Sequence, residues 1–513
     1  MVKNHMSKLD VLFINPNSSS EVYQELAELF TAVEPPTWAL LLAESCRSKG
    51  NSVGILDTDA LRLADKSASE FIGECKPRLV CFVVYGQNPN AGTTNMEGAI
   101  RLAQLVKEQN PEIPIAFVGT HSSALPFEVL AFKCVDIVLT NEGVYALHNL
   151  LKSNLKDDLY SIKGIGFKDQ LGMPRLNPPE CVVPQERMDV DLPGYAWDLL
   201  PFKEKPLDLY RAHFWHANFD YNNRTPFASI YTSLGCRFKC SFCVINSVNR
   251  NSNSHDYTAA DSAGMRFWSP DFITKEFGKL ADMGVKTVRI ADEMFFLDKR
   301  YFEPLLTNII NEEYKFNMWS YSRVDTVRPK YLDLFKKAGI NWLALGIEAA
   351  NQVIRREVTK GSFEEVDIRE VNKTIHDHDI NVIANYIFGF PSDTLSTMQE
   401  TLDLSLELCT EMWNGYPCMA LPGSPLHLEA RKNNWDLPEK FSEYSFLSYD
   451  SKPLPTKYLS SAEVLAFRDK AWQTYFTHQP YLDLIKNRFG QIEHDNIVKM
   501  SHIKLKRKIL EKN

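Results

Sequence analysis

Two blocks of alternating strand-like and helix-like segments constrain this chain more than any other feature. VLFINP (11–16), SVGILD (52–57), LVCFVVYG (79–86), IPIAFVGT (113–120) and DIVLT (136–140) are short apolar runs. Between and after them lie helical periods: PPTWALLLAESCRSKG (35–50), MEGAIRLAQLVKEQN (96–110), a segment opening near Leu125 and another from Glu142. A strand that is apolar at nearly every position is one buried on both faces, as in a parallel sheet. Five βα units in succession therefore predict a doubly wound, Rossmann-like sheet over residues 1–150. Ligands of such sheets bind beyond the carboxyl ends of the strands. Those ends are the loops Asn15–Ser19, Tyr85–Asn90, Gly119–Ser123 and Thr140–Gly143.

Residues 151–225 lose the rhythm. Prolines cluster in NPPECVVPQERMDVDLPGYAWDLLPF, and the stretch reads as a linker packed on both neighbours. From Phe227 the alternation returns: FASIYTS (227–233), a helical SPDFITKEFGKLADMG (269–284), VKTVRIAD (285–292), NMWSYSR, WLALGIE and NVIANYIFGF. Six such units over residues 226–430 predict a partial (β/α)6 barrel, whose functional residues stand at the carboxyl ends of its strands. Residues 431–513 read as mostly helical. The whole is an α/β chain of two domains with a linker and a helical tail.

Composition excludes several partners. The net charge is −8, which argues against the broad basic face that nucleic acids need. No apolar run approaches the ~18 residues of a membrane span. The opening MVKNHMSKLD lacks a signal-peptide core, so a cytoplasmic location is expected. Seven of the ten cysteines are scattered singly and read as small core residues of a reducing compartment.

The other three are clustered. LGCRFKCSFCVIN, directly after the first barrel strand, spaces Cys236-x3-Cys240-x2-Cys243. Three thiolates at this spacing hold three corners of a [4Fe–4S] cluster and leave the fourth iron open to a small molecule. Zinc, the alternative, usually takes paired CxxC units or added histidines, and no second pair is present.

With the aromatic Phe242 before the last cysteine, this loop resembles the radical SAM superfamily signature over roughly residues 225–430. The resemblance implies that S-adenosylmethionine (SAM) chelates the open iron and is cleaved to methionine and a 5′-deoxyadenosyl radical. It also implies roles at the strand ends. In IADEMF, Asp292 or Glu293 would take the methionine ammonium, since an ammonium needs carboxylate or carbonyl acceptors. In WSYSRVDTV, Ser322 and Arg323 would pair the methionine carboxylate. In LGIEAA, Glu348 would hold the ribose hydroxyls. NYIFGFP (385–391) resembles the segment flanking the adenine, and LPGSPLH (421–427) a family turn in which Ser424 replaces threonine.

The first domain is similar to that of the cobalamin-dependent radical SAM class. The similarity rests on PPTWALLLAESCRSKGNSVGILD (35–57) and GTHSSALPFEVL…VDIVLTNEGVYAL (119–147). Thr140-Asn141 replaces the first Gly-Glu of the family's tetrad, and Phe127 separates Pro126 from Glu128. There is no Asp-x-His-x-x-Gly motif, so His121 is expected to line the cobalamin loop without ligating cobalt. Asn15, Tyr85, Gly119, Ser122, Glu142 and Gly143 complete the expected cobalamin contacts.

What this class implies is C-methylation of an unactivated carbon: the radical abstracts hydrogen, methylcobalamin delivers the methyl group, and a second SAM restores it. A non-methylating rearrangement or cyclisation, a radical SAM enzyme that has lost cobalamin, and a non-catalytic protein with a structural cluster are the alternatives. Methylthiolation of tRNA is disfavoured by the acidic charge and the single three-cysteine cluster. Expected partners are a small-molecule substrate and an electron donor such as flavodoxin or ferredoxin. Tyr210, Phe214, Trp215, Trp413, Tyr416, Tyr444 and Phe446 are candidates to line the substrate pocket or to pack the core. The substrate itself is not legible.

Overall fold

The computed structural model describes residues 9–26, 31–86, 88–155, 158–251, 262–359 and 366–511. The first sheet has seven strands: β1 (Val11–Asn15), β2 (Val53–Asp57), β3 (Val80–Val84), β4 (Ile115–Gly119), β5 (Ile137–Leu139), β6 (Ile165–Lys168) and β7 (Pro174–Leu176). Their order is β2-β1-β3-β4-β5-β6-β7. The first five strands pair in parallel, and β6 and β7 add antiparallel at one edge. All residues of β3 and β4 are buried, as apolar runs between two helical layers must be.

The stretch read as a linker thus carries two strands of the first sheet. They are only four and three residues long, and Pro174 opens the outer one. Edge strands tolerate proline, and runs this short show no period to read.

The second sheet is an open half-barrel in sequence order. Its strands are β8 (Phe227–Ile230), β11 (Thr287–Ile290), β12 (Asn317–Arg323), β13 (Ile340–Glu348), β14 (Asn381–Phe388) and β15 (Met412–Pro417), all parallel. The expected first strand breaks after Ile230, and a two-stranded ribbon of β9 (Ser233–Leu234) and β10 (Arg266–Phe267) leads into the cysteine loop. Phe214, Trp215 and Phe219 are buried against Trp319 and Trp342 and close the amino-terminal end of the half-barrel. Three helices, Ser461–Phe476, Gln479–Phe489 and Gln491–Ser501, cover β15 and that floor.

The two sheets are locked together. Arg266 forms a buried ion pair with Glu142 at 2.9 Å. The buried Arg289 of β11 pairs with Glu34 of the first domain at 2.5 Å and donates to Tyr321 Oη at 2.9 Å. Asn141 donates to the Arg250 carbonyl at 2.9 Å, and the Asn141 amide oxygen accepts from Arg250 N. Among the described residues no helix is long and apolar enough to cross a membrane.

Candidate active site between the two sheets

The cysteine loop leaves the ribbon at Cys236 and is held from two sides. Ser241 N donates to the Val358 carbonyl at 2.9 Å, and Leu426 N donates to the Ser241 carbonyl at 2.8 Å. Phe242 packs on Phe390, ring centroids 5.9 Å apart. Phe238 N donates to Cys236 Sγ at 3.4 Å. Burial pushes the Cys236 thiol up to about 12 and Cys240 up to about 11, where nearby Glu348 adds to the rise and Arg323 opposes it. Cys243 is raised further, by burial and then by Glu293. Among the described residues no three His, Cys, Asp or Glu side chains converge on a single ion position.

The strand ends bring the other expected residues to this loop. Asp292 is fully buried and already saturated. It accepts from Thr232 N at 2.5 Å, Thr232 Oγ1 at 2.7 Å and Ser233 Oγ at 2.6 Å. Burial still holds it up at about 6. Its neighbour Glu293 has no hydrogen-bond partner among the described residues and lines a pocket at the domain interface. Burial raises it to about 7, against the pull of Arg289. Arg323 stacks on Phe238 at 3.7 Å and pairs with Asp325 at 2.8 Å. Ser322 Oγ shares a hydrogen bond with Thr326 Oγ1 at 2.9 Å.

Glu348 ends β13 in an unusual way. The register slips between Gly346 and Glu348, so that Ile347 bulges out, and Glu348 adopts φ +65°. A left-handed glutamate is a costly conformation that surrounding structure must enforce. Its carboxyl stands near Arg323 and Cys240, and burial raises it to about 7. Gly346 makes room: a Cβ there would stand 2.6 Å from Glu348 Oε1.

Across the interface stand the carboxyl ends of the first sheet. The pocket that Glu293 lines is walled by Trp38, Tyr85 and Glu142 on one side and by Tyr231, Gly235 and Arg266 on the other. Tyr85 stacks on Trp38, centroids 5.0 Å apart, and its buried hydroxyl has no hydrogen-bond partner among the described residues. Ser122 Oγ, also buried, has none among them either. Gly119 takes φ +153°, and any side chain there would collide with the Val84 carbonyl. Gly143 takes φ +81°.

Three of the expected cobalamin residues are engaged within the protein. Asn15 donates to Asp57 at 2.9 Å. Glu142 receives Arg266 and Val183 N. His121 is buried, shares a hydrogen bond with Thr93 at 3.1 Å, and meets Phe441 edge-on at 5.2 Å. Burial holds His121 down at about 3.

Of the aromatic candidates, Tyr416 and Phe446 are half-buried and pack together at 4.9 Å. Tyr210, Phe214, Trp215, Trp413 and Tyr444 are buried. Sequence reasoning missed Trp38, Tyr231 and Arg266. Trp38 sits in an ordinary amphipathic period, and Arg266 lies on a two-residue strand that carries no pattern.

The residues present fit both groups that such a pair of sheets would hold. Three thiols in one loop suit a cluster with an open iron. Unpartnered Tyr85 and Ser122 hydroxyls at the ends of β3 and β4, beside a backbone cradle that only Gly119 permits, suit a polar cofactor laid across those ends.

Comparison with known proteins agrees. Residues 230–405 match the family model of the radical SAM superfamily, and residues 27–151 match the B12 binding domain. The chain thus joins a B12-binding domain to a radical SAM domain, the composition of a cobalamin-dependent radical SAM enzyme. The domain pair implies a [4Fe–4S] cluster, SAM and cobalamin. Among its relatives is an uncharacterised methyltransferase of Pyrococcus horikoshii, 24% identical over 480 residues, or 92% of this chain and 93% of that one. Another is the anaerobic magnesium-protoporphyrin IX monomethyl ester cyclase of Rubrivivax gelatinosus, 25% identical over 86% of this chain and 73% of that one. The fold resembles TsrM of Kitasatospora setae, a radical SAM methyltransferase solved with cobalamin and a [4Fe–4S] cluster. The TM-score is 0.66 at 16% identity, over 93% of this chain and 90% of that one.

Proposed function

We propose that this enzyme methylates an unactivated carbon of a small-molecule substrate. The observation that carries the reading is the opposition of the two sheets: Gly235 and Ile245, which flank the cysteine loop, and Tyr85 and Glu142, beyond the carboxyl ends of β3 and β5, line one pocket. Bound together there, the cluster and SAM supply a hydrogen-abstracting carbon radical, and cobalamin supplies a transferable methyl group.

The protein's part is to hold, orient and shield. Cys236, Cys240 and Cys243 hold the cluster. Glu293, which keeps an open carboxyl, takes the methionine ammonium; Asp292 instead braces Thr232 and Ser233 beneath the loop. Arg323 faces the methionine carboxylate, and Glu348 faces the ribose. Tyr85, Ser122 and Gly119 contact cobalamin. The buried pairs Arg266–Glu142 and Arg289–Glu34 close the domain interface and keep water from the radical. The reducing electron comes from a flavodoxin- or ferredoxin-type donor, and the enzyme works in the cytoplasm.

A second reading, cyclisation without methyl transfer, is favoured by the likeness to the Rubrivivax gelatinosus cyclase. Anaerobic reconstitution with iron, sulfide and hydroxocobalamin, followed by metal counting and product analysis under reductant, separates the two. Methyl transfer yields 5′-deoxyadenosine and S-adenosylhomocysteine together. 5′-Deoxyadenosine without S-adenosylhomocysteine, with the substrate present, would favour cyclisation.

A further inference from the structure

The lumen of the half-barrel holds one hydrogen-bonding edge that the function above leaves unused. Trp413 packs outward on Tyr475, with centroids 5.4 Å apart, and Tyr386 lies on the same outer side, 6.2 Å from Trp413. Successive side chains of a strand alternate, so Asn414 and Asn385 point inward. They are register partners, and Asn414 Nδ2 donates to Asn385 Oδ1 at 3.0 Å. Asn385 Nδ2 donates in turn to the carbonyls of Leu345 at 3.1 Å and Ile383 at 3.2 Å, which turns its oxygen toward Asn414.

Among the described residues Asn414 Oδ1 accepts from none, and the second Nδ2 hydrogen of Asn414 donates to none. Both asparagines are only half-buried. The lumen therefore meets a donor and an acceptor side by side in one amide plane. Gly346, level with Asn385 on β13, places no side chain over this edge, and Tyr416 stands two residues further along β15. The neighbouring guanidinium groups are engaged: Arg289 by Glu34 and Tyr321, Arg468 by Asp469 and the Gly415 carbonyl, and Arg323 by Asp325 and Phe238, with the methionine carboxylate assigned to it above. An anionic group gains nothing from a cation already paired. A neutral group with its own N–H and C=O completes the edge with two hydrogen bonds.

We propose that Asn414, braced by Asn385, determines substrate choice, and that the substrate carries a carboxamide or lactam on an apolar or aromatic body. The inference rests on the reading above, which sets SAM against Arg323 and Glu348 at the carboxyl ends of these same strands. The test is ligand-observed saturation-transfer NMR on the anaerobically reconstituted holoenzyme, with benzamide and benzoate as probes. Benzamide is expected to give a signal at least fivefold stronger than benzoate. That signal should fall at least fivefold in Asn414→Leu while iron and cobalamin content stay at the wild-type level. Asn414→Asp keeps the shape but loses the donor; it should weaken benzamide likewise, and it serves if the leucine variant fails to fold. No benzamide signal in the wild type, equal signals for the two probes, or an undiminished signal in the variants overturns the proposal. SAM cleavage measured on the same samples separates the two failures: cleavage without benzamide binding sinks this edge alone, and loaded cluster without cleavage sinks the function.

Discussion

Adjacent carboxylates in this molecule have opposite duties. Asp292 spends its oxygens on three donors inside the protein, whereas Glu293 keeps its own open to the pocket. Asp292→Ala should therefore strip partners from three buried donors and cost about 2–4 kcal/mol, read by chemical denaturation. Glu293→Gln should leave stability near wild type and weaken SAM binding at least tenfold by equilibrium dialysis. Each of Cys236→Ala, Cys240→Ala and Cys243→Ala should abolish 5′-deoxyadenosine formation; full activity in any one would refute the cluster assignment. The motif itself marked these residues, because thiolate spacing is a local property. The choice between Asp292 and Glu293 was not local: it depends on which carboxyl the Thr232–Ser233 turn reaches.

At the scale of elements, the bulge in β13 matters most. There Glu348 takes φ +65°, and Gly346 leaves space for its carboxyl. Gly346→Ala is expected to displace that carboxyl and raise the SAM dissociation constant at least tenfold, with four irons still loaded. Unchanged SAM affinity would move the ribose contact elsewhere. The helix Val144–Lys152 supplies a second test. Its His148 meets Ser45 Oγ at 3.0 Å, and burial lowers its pKa to about 4. Below pH 6.5 the unfolded chain then takes up a proton that the folded chain refuses, so stability falls as pH drops from about 6.5 toward 4. His148→Gln should flatten the fall in Tm between pH 7 and pH 5; an unchanged slope would count against this origin. The strands were legible because buried parallel strands are apolar throughout. The bulge was not, since LGIEAA reads as an unbroken strand.

The whole molecule depends on ion pairs between its domains. Arg266→Ala leaves Glu142 buried without its cation and should cost about 3–5 kcal/mol, whereas the double replacement Arg266→Met with Glu142→Leu, which removes the stranded charge but leaves Val183 N without its acceptor, should cost about 1–3 kcal/mol. Denaturation midpoints of the two variants check this. Two equal losses would place the damage in packing rather than in the stranded charge.

The sequence by itself determined the parallel strands of the two sheets, the order of the domains and the three-cysteine spacing. Each follows from residues near one another in the chain: an apolar run, a helical period, a thiol spacing. Tertiary structure alone decided that β6 and β7 join the first sheet, that Glu142 meets Arg266 and Glu34 meets Arg289, and that Asn385 braces Asn414. Those pairs lie far apart in sequence, and what selects them is the cost of burying a charge or an amide without a partner. That cost exists only once the two sheets have come together.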